Sequence, residues 1–204
     1  MTEKDKMLHG KIYDPSDKLL AKLRTKAHRL SKEYNELDES DDHRIEILKE
    51  LLNQETKNIY LQGPIQFDYG CFTKIGSYTY ANFNFTVLDS CEVTIGENVF
   101  IGPNVSLLTP LHPLRYQDRN LYSKDGGVLT DKEYAMPIKI GNNCWIAGNV
   151  TVCGGVEIGD NSVIGAGSVV TRNIPSGVLA VGNPCRVIRK ITEKDSLDNH
   201  PELV

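Results

Sequence analysis

Apolar residues recur every six positions along much of the second half of the chain. From Ile138 the sequence divides into the blocks IKIGNN, CWIAGN, VTVCGG, VEIGDN, SVIGAG and SVVTRN. The third residue of every block is β-branched and apolar, at Ile140, Ile146, Val152, Ile158, Ile164 and Val170. An earlier run, VTIGEN, VFIGPN and VSLLTP, keeps the same frame through Ile95, Ile101 and Leu107, and an isolated member stands upstream at Ile75.

This six-residue period predicts strands rather than helices. Six residues advance a helix by about 600°, so successive apolar positions would fall on different faces. In a strand the side chains alternate, so positions six apart point the same way. Gly-Asn, Gly-Asp and Gly-Glu pairs follow many of the apolar positions and suit a chain that turns a corner each time. The hairpins of a β-sandwich would space the strands by about 8–12 residues, so the pattern favours a parallel β-solenoid.

Two segments before the repeat follow a helical period instead. Over residues 14–37 apolar side chains recur at spacings of three and four, which is typical of an amphipathic helix. Residues 14–17 offer capping side chains just before it. A second helix is predicted over residues 42–52, with Ile45, Leu48 and Leu52 turned inward. We expect both helices to pack on the solenoid, where they would cover a strand edge that otherwise invites aggregation.

The hexad is interrupted over residues 108–137, a segment called the excursion below, and it resumes at Ile138. A long loop inside a compact repeat is uncommon unless it has a use. The excursion holds many polar side chains, among them His112, Arg115, Asp118, Arg119, Asp131 and Glu133. We therefore expect a helical cap over residues 1–60, a solenoid over residues 61–190 that carries the excursion, and a tail over residues 191–204.

Composition narrows the classes of function. The 204 residues are 40% hydrophobic and 25% charged, the usual balance of a globular protein, and no apolar run approaches the length of a membrane span. A net charge of −4 argues against a general nucleic-acid binder. Residues 1–6 are polar and show no secretory signal. The five cysteines are odd in number and form no CxxC pair, so we expect reduced, mostly buried thiols in a soluble cytoplasmic protein.

His112 is the histidine best placed for chemistry. The other four lie on the predicted helices or near the termini, at His9, His28, His43 and His200. His112 stands at the root of the excursion, and Pro113 restricts its backbone to an extended conformation, which helps to hold the ring in one place. Because an imidazole titrates near neutral pH, it can take the proton of a hydroxyl group. We predict that His112 is a general base.

Short motifs are spread over nearly the whole chain. They are GKIYD at residues 10–14, YANFN at 80–84, VTIG at 93–96, HP at 112–113, IGNNCWI at 140–146, GAGSVVT at 165–171 and GNPCRVIR at 182–189. Together they resemble the galactoside/maltose O-acetyltransferase family of hexapeptide-repeat transferases. The resemblance implies a left-handed parallel β-helix behind a helical cap, and transfer of an acetyl group from acetyl-CoA to a sugar hydroxyl without a metal. It also implies a homotrimer with active sites between subunits.

The resemblance further implies roles for individual residues at the acetyl transfer. His112 takes the proton while the hydroxyl attacks the thioester directly, so no acyl-enzyme forms and no cysteine is a nucleophile. Asn82 contacts the acceptor and stabilises the transition state, and the backbone N–H of Gly148 stabilises the thioester oxygen. The other acceptor contacts carry over to Asp68, Tyr80 and Glu133, with Asp14 or Asp17 reaching in from the cap.

Coenzyme A contacts carry over to Trp145, Gly148, Ala166, Thr171, Arg172, Arg186 and Arg189. The small residues leave a groove for the pantetheine arm, and guanidinium groups bind phosphates. A solvated basic tail is the alternative for Arg189, and turn or capping roles are the alternatives for Asp14 and Asp68. Asp68 and Glu133 stand where galactoside-type members carry an alcohol and a thioether, and residues 115–132 form a longer loop than usual. The choice among glucose, maltose and a galactoside therefore stays open.

Other functions fit only parts of the pattern. A γ-class carbonic anhydrase needs three histidines on zinc, and only His112 lies within the solenoid. A xenobiotic acetyltransferase of the streptogramin type shares the fold, the histidine and the cofactor, but the helical cap argues against it. A noncatalytic scaffold would have no reason to keep the His-Pro excursion and the arginines of the C-terminal region.

Overall fold

The computed structural model of the chain describes residues 1–56, 58–124 and 126–203, and it confirms a parallel β-helix with N-terminal helices. The helices are α1 Glu3–Leu8, α2 Lys18–Glu36, α3 His43–Leu52 and α4 Tyr116–Arg119, followed by 3-10 turns at Glu193–Asp195, Leu197–Asn199 and Pro201–Leu203. The strands are β1 Tyr60–Leu61, β2 Ile65–Phe67, β3 Thr73–Ile75, β4 Tyr80–Ala81, β5 Phe85–Leu88, β6 Val93–Ile95, β7 Phe100–Ile101, β8 Ser106–Leu108, β9 Pro110–Leu111, β10 Tyr122–Ser123, β11 Leu129–Thr130, β12 Tyr134–Ala135, β13 Ile138–Ile140, β14 Trp145–Ile146, β15 Thr151–Cys153, β16 Glu157–Ile158, β17 Val163–Ile164, β18 Val169–Val170, β19 Val178–Val181 and β20 Arg186–Lys190. Among the described residues, no helix combines the length and the apolar character that a membrane crossing demands.

Three sheets of parallel strands form the sides of the β-helix. One side has the order β1-β4-β7-β14-β17-β19, with β20 added antiparallel at its end. The second has the order β2-β5-β8-β15-β18 and the third β3-β6-β13-β16. The excursion separates β8 from β13, yet β13 pairs in register with β6, so that Ile138 lies opposite Val93. The hexad frame therefore resumes at Ile138, as predicted.

The third residue of each hexad points into the β-helix. On one side Ile95 lies between Ile75 and Ile140 in adjacent coils. All the hexad positions are at most 5% exposed: Ile75, Ile95, Ile101, Leu107, Ile140, Ile146, Val152, Ile158, Ile164 and Val170. Because burying an aliphatic side chain of this size contributes about 1.5–3 kcal/mol, this stack supplies the core of the coils.

The outward positions differ from side to side. The third side presents Lys74, Thr94, Lys139 and Glu157 to solvent, and we call it the charged face. The first side presents a ladder of aromatic residues in register, at Tyr60, Tyr80, Phe100 and Trp145, and we call it the aromatic face. Outward aromatic side chains on consecutive coils form a continuous apolar strip along this face.

Stacked asparagines turn one set of corners. Asn84, Asn104 and Asn149 have φ angles of 60°, 57° and 59° and lie one coil apart. The side-chain amide of Asn84 donates to Oδ1 of Asn104 at 2.9 Å, and that of Asn104 donates to Oδ1 of Asn149 at 3.2 Å. Asparagine tolerates the left-handed conformation better than most residues. These corners explain why the hexad is punctuated by asparagine as well as glycine.

The cap pairs with the open backbone of the first coil. Asn35 of α2 donates to the carbonyl of Ile65 at 2.9 Å and accepts from its N–H at 2.7 Å. Gln54, just after α3, makes the same pair of bonds with Ile75, at 2.8 Å and 3.2 Å. Each amide side chain thus takes the place of a neighbouring strand, which is how a sheet edge is protected from unwanted pairing. The cap packs on the solenoid end, as predicted.

The helices differ from the prediction in three respects. α2 begins at Lys18, because the side chain of Asp17 caps it by accepting from the N–H groups of Leu19 and Leu20 at 2.9 Å and 3.2 Å. Ile45 is 50% exposed, since the inward stripe of α3 runs through Ile47, Leu48, Leu51 and Leu52. The short helix α1 was not predicted; it buries Met7 on the cap.

Candidate active site

His112 lies where the excursion leaves the β-helix. It follows β9, which pairs antiparallel with β12, so the two ends of the excursion meet beside it. Its side chain is 44% exposed, and Nδ1 lies 3.5 Å from Oδ2 of Asp131. In the part of the chain that the structure describes, this is the one polar contact of the ring. An accessible imidazole beside a carboxylate is suited to proton transfer.

Glu133 joins the excursion to the cap. Its Oε2 accepts a 2.5 Å hydrogen bond from the hydroxyl of Tyr13, and its backbone carbonyl accepts from the Tyr13 N–H at 2.9 Å. Tyr13 is buried, and this burial raises the pKa of its hydroxyl well above the ordinary range. The tyrosine therefore remains a proton donor to Glu133 at physiological pH.

Asp14 and Asp17 are both engaged within the cap region. Oδ1 of Asp14 accepts from Ser16 N–H at 3.0 Å, from Ser16 Oγ at 2.7 Å and from Thr130 Oγ1 at 2.5 Å. Its other oxygen forms an ion pair with Lys124. Asp17 caps α2 and does not line the pocket described next. Of the two predicted acceptor contacts from the cap, Asp14 thus fastens the excursion and Asp17 caps a helix.

A pocket of about 420 Å³ opens between the cap, the first coils and the excursion. It is lined by Pro15, Ser16, Arg24, Asp68, Tyr69, Leu121, Leu129, Thr130, Asp131 and Glu133. Asp68 lies 3.5 Å from Nε2 of His28, a residue that sequence reasoning regarded as merely solvated. Arg24 donates to the hydroxyl of Tyr69 at 2.7 Å, and burial raises the pKa of that hydroxyl to about 12. Three carboxylates thus line a pocket whose arginine is already hydrogen-bonded.

Tyr80 and Asn82 lie elsewhere, at the aromatic face. Tyr80 stacks on Tyr60 with ring centroids 5.9 Å apart. Oδ1 of Asn82 accepts from the N–H of Phe83 at 2.7 Å, which leaves the amide NH₂ group available to a ligand. Within the described residues, no hydrogen bond or ion pair links either side chain to His112. Within the described part of one chain, therefore, no direct polar link joins the two predicted catalytic residues.

The predicted cofactor residues all come after the excursion, on the later coils and at the end of the β-helix. Trp145 is 54% exposed on the aromatic face, beside Phe100 of the preceding coil. Gly148 follows in a corner, where an added Cβ would lie 3.3 Å from Pro103. Other predicted contacts lie at later corners, at Ala166, Thr171 and Arg172. Of these corner residues, Gly148 has no side chain and Ala166 has only a methyl group.

The two remaining arginines lie on β20, at the end of the β-helix. Arg186 donates to the carbonyl of Cys185 at 2.8 Å. Arg189 forms two hydrogen bonds with the carboxylate of Asp195, at 2.8 Å and 2.6 Å. This guanidinium lowers the pKa of Asp195 to about 2. The predicted phosphate ligand Arg189 therefore has an anionic partner in the tail, which sequence reasoning missed.

The cysteines and one cluster of side chains bear on whether the site could use a thiol nucleophile or a metal ion. All five cysteines are free thiols, and burial raises the pKa of Cys91, Cys144 and Cys185, which disfavours the reactive thiolate. His112, Asp131 and Glu133 each offer one ligand atom, and these three atoms lie within 4.8 Å of one another. Such a set could hold a divalent cation, so the predicted absence of a metal stays a prediction.

The residues that fasten the excursion to the cap were not singled out from the sequence. Lys124, Thr130 and Tyr13 had no assigned role, and Asp131 was only noted as a member of the excursion. Gly126-Gly127, between β10 and β11, was a usable hairpin signal, since a loop of three to five residues that contains glycine is typical of a hairpin. The long-range contacts themselves leave no local pattern.

Family models match both the cap and the β-helix. Residues 6–55 match the maltose acetyltransferase hexapeptide capping motif, which covers α2 and α3. Residues 137–172 match the bacterial transferase hexapeptide of six repeats. Residues 92–108 match the hexapeptide repeat of succinyl-transferase. The matched segments lie on both sides of the excursion.

Similarity to known proteins extends over nearly the whole chain. The galactoside O-acetyltransferase of Escherichia coli K12 is 42% identical over 187 residues, which cover 91% of this chain and 88% of that protein. The crystal structure of a maltose O-acetyltransferase from Clostridium difficile 630 is similar with a TM-score of 0.86 at 44% identity, covering 95% of this chain and 99% of that one. A hexapeptide-repeat acetyltransferase from Vibrio cholerae O1 biovar eltor, complexed with acetyl coenzyme A, has a TM-score of 0.82 at 34% identity and coverages of 95% and 100%. The similarity thus includes the cap as well as the repeats.

Proposed function

The chain belongs to the galactoside/maltose O-acetyltransferase family of hexapeptide-repeat acetyltransferases, and we propose that His112 is its general base in transferring an acetyl group from acetyl-CoA to a sugar hydroxyl. Membership makes the protein an acetyltransferase. The observation that carries the proposal for His112 is its accessible ring beside Asp131, which is one of three carboxylates that line the pocket.

The proposed reaction is a direct transfer. The acceptor hydroxyl loses its proton to His112 while its oxygen attacks the thioester carbonyl. The tetrahedral intermediate then collapses, the C–S bond breaks, and the proton passes from His112 to the departing sulfur. The amide of Asn82 and the N–H of Gly148 stabilise the charge that develops on oxygen, a contribution that is often large. The raised thiol pKa values of the buried cysteines are consistent with a route that needs no acyl-enzyme.

We place the acceptor in the pocket between the cap and the excursion. Its carboxylates at Asp68 and Glu133 are good acceptors for sugar hydroxyls. Asp14 supports this pocket from behind, because it holds Thr130 and Lys124, and Asp17 supports it only through α2. Tyr80 and Asn82 complete the acceptor site from the aromatic face of another subunit. A polyhydroxylated sugar of the glucose, maltose or galactoside type fits this chemistry.

We place coenzyme A along the aromatic face and the corners beside it. Exposed Trp145 offers a flat surface, and Gly148 and Ala166 leave room for the pantetheine arm. Thr171, Arg172, Arg186 and Arg189 would meet the nucleotide phosphates, with Arg189 exchanging Asp195 for a phosphate oxygen. The relative solved with acetyl coenzyme A supports this cosubstrate.

We propose a homotrimer whose sites lie between subunits. The aromatic face leaves large apolar side chains exposed, with Phe100 58% and Trp145 54% accessible. Strips of exposed apolar residues on this scale are typical of interfaces. Since no hydrogen bond or ion pair links His112 to Asn82 among the described residues of one chain, we propose a neighbouring copy as the source of the second residue.

The first experiment measures thiol release from acetyl-CoA with a panel of sugars. We expect one or more sugars to stimulate release and His112→Ala to lower kcat by roughly 10²- to 10⁴-fold, the usual contribution of a general base. His43→Ala is the matched control, because His43 lies on α3 and pairs with Glu33 at 3.5 Å, away from the pocket.

Three results would contradict parts of this proposal. Sugar-dependent release that survives His112→Ala would remove His112 as the base. Release that responds to antibiotics but to no sugar would replace the acceptor by a xenobiotic alcohol. A melting temperature that coenzyme A does not raise, together with no release, would favour a noncatalytic scaffold.

A further inference from the structure

We propose that Asp131 is the positioning residue of His112: its carboxylate accepts the Nδ1–H and leaves Nε2 as the atom that receives the acceptor's proton. This inference rests on the proposed role of His112 as the base. Nδ1 and Oδ2 are 3.5 Å apart, and the Asp131 side chain is only 21% exposed. Hydrogen bonds of this kind are often long in unliganded sites and tighten when substrate binds.

The backbone around Asp131 is fastened on both sides. Thr130 is buried, pairs with Tyr122 in the β10–β11 hairpin and donates to Asp14 at 2.5 Å. Two residues further on, the backbone carbonyl of Glu133 accepts from Tyr13 at 2.9 Å. Asp131 therefore stands between two anchors to the cap, and its carboxylate is presented to His112 from a fixed segment. A group on such a segment can orient a ring, whereas one on a mobile loop tip cannot.

Asp131 is also the carboxylate with capacity to spare. Glu133 belongs to the same cluster, but its Oε2 already accepts the 2.5 Å hydrogen bond of Tyr13. Among the described residues, the His112 ring, 3.5 Å away, is the one polar contact of the Asp131 side chain. The contact that one ring nitrogen makes decides which nitrogen carries the proton in a neutral imidazole. A carboxylate at Nδ1 selects the form with a bare Nε2.

The same contact serves the second half of the reaction. Once Nε2 has taken the proton, His112 is a cation, and the Asp131 carboxylate stabilises it until the proton passes to the leaving sulfur. The charges balance, since the carboxylate stays ionised throughout. Asp131 never touches the acceptor in this role, so its removal should lower kcat and leave both KM values nearly unchanged.

Steady-state kinetics of Asp131→Ala and Asp131→Glu test the proposal. We expect the alanine variant to lose roughly 10- to 100-fold in kcat, the effect of a misplaced catalytic group, with both KM values within about twofold. Glutamate should recover part of the loss. Asp118→Ala is the matched control, an exposed aspartate of the same excursion that pairs with Arg115 at 3.7 Å. An unchanged kcat in Asp131→Ala, or a loss confined to the acceptor KM, would overturn the proposal.

A tautomer measurement decides the matter without turnover. Ring ¹⁵N shifts of the labelled protein, with the His112 signals assigned by their absence in His112→Gln, should show the Nδ1–H form in the native protein. Asp131→Ala should move His112 toward the Nε2–H form that predominates in free histidine, while Asp118→Ala should not. A tautomer that ignores Asp131 sinks the inference even if the enzyme acetylates sugars. Full activity of His112→Ala would instead remove the base, whatever the tautomer shows.

Discussion

Two regions of the molecule that the proposed reaction needs are built in opposite ways. The cap–excursion junction, formed by Tyr13, Asp14, Lys124, Thr130 and Glu133, joins side chains more than a hundred residues apart and pairs their polar groups within one chain. The aromatic face pairs its backbone in register but leaves its outward side chains exposed. The walls of the pocket between cap and excursion are therefore held together within one chain, whereas the aromatic face proposed for the cofactor needs a second surface to cover it.

The largest test of this contrast mixes two inactive variants. His112→Ala removes the proposed base on the excursion, and Asn82→Ala removes the proposed amide at the aromatic face. Each variant alone should lose at least about 100-fold in kcat. If every site takes His112 from one chain and Asn82 from the next, a 1:1 co-expressed mixture should recover about a quarter of the native activity, because random assembly yields that fraction of intact interfaces. Thiol release by purified hetero-oligomers measures it.

The control for this test mixes the purified variants without subunit exchange, which should give no recovery. A co-expressed mixture that stays as inactive as its components would mean that one chain supplies both residues.

Analytical ultracentrifugation of Phe100→Asp tests the role of the aromatic face independently. A charge in the middle of the aromatic face should dissociate the oligomer and leave the fold of the cap and coils intact.

A medium effect is expected at the junction. Asp14→Ala removes the acceptor of Thr130 and the ionic partner of Lys124, so it should lower the free energy of unfolding by about 1–3 kcal/mol. Urea unfolding followed by circular dichroism measures the change. The oligomeric state should not alter, because the junction lies within one chain.

Tyr60→Phe is the matched control for the aromatic face. Its hydroxyl contacts Glu39 at a marginal 3.4 Å and is partly exposed, so the loss should stay within about 0.5 kcal/mol. Equal losses in Tyr60→Phe and Asp14→Ala would mean that the junction is no more tightly fastened than the outer surface. Loss of the oligomer in Asp14→Ala would show that the two regions are coupled.

The sequence predicted the coils far better than the junction, for a physical reason. A hexad such as that of Ile140 repeats the same local requirement on every coil, so many residues report one geometry. The bond between Tyr13 and Glu133 is made once, across 120 positions, by residues that could serve equally well at a surface. His112 was found because Pro113 and a broken repeat mark it, whereas the partner Asp131 bears no such mark.

Ile45 shows the limit of helical spacing as a guide to burial. Its position fits an amphipathic stripe, but the stripe that packs on the coils is centred on Leu48 and Leu51, and Ile45 is left half exposed. Spacing defines the faces of a helix, and the neighbouring β-helix decides which of them is buried.

The smallest expected effect is at the tail, where the aromatic face ends in β20. If Arg189 must leave Asp195 to meet a phosphate, Asp195→Asn should tighten coenzyme A binding by roughly two- to fivefold, since an exposed ion pair competes only weakly. Titration calorimetry of Asp195→Asn beside Asp198→Asn, a change at a neighbouring exposed carboxylate, measures the difference. Weaker binding in Asp195→Asn would mean that the tail organises Arg189 for the cofactor.

The pH dependence of the same pair follows from the depressed pKa of Asp195. An aspartate in an unfolded chain has a pKa of about 3.9. In the folded chain Arg189 lowers the pKa of Asp195 to about 2. The contribution of the pair is therefore fully present above the unfolded value and is lost as the pH falls through about 2. The carboxyl ¹³C shift of Asp195 should titrate near its depressed value, and Arg189→Ala should return it toward the ordinary one. If Arg189→Ala leaves the titration of Asp195 unchanged, the two residues do not form this pair in solution. Asp195 would then not compete with phosphate, and Arg189 would be a residue of a solvated basic tail.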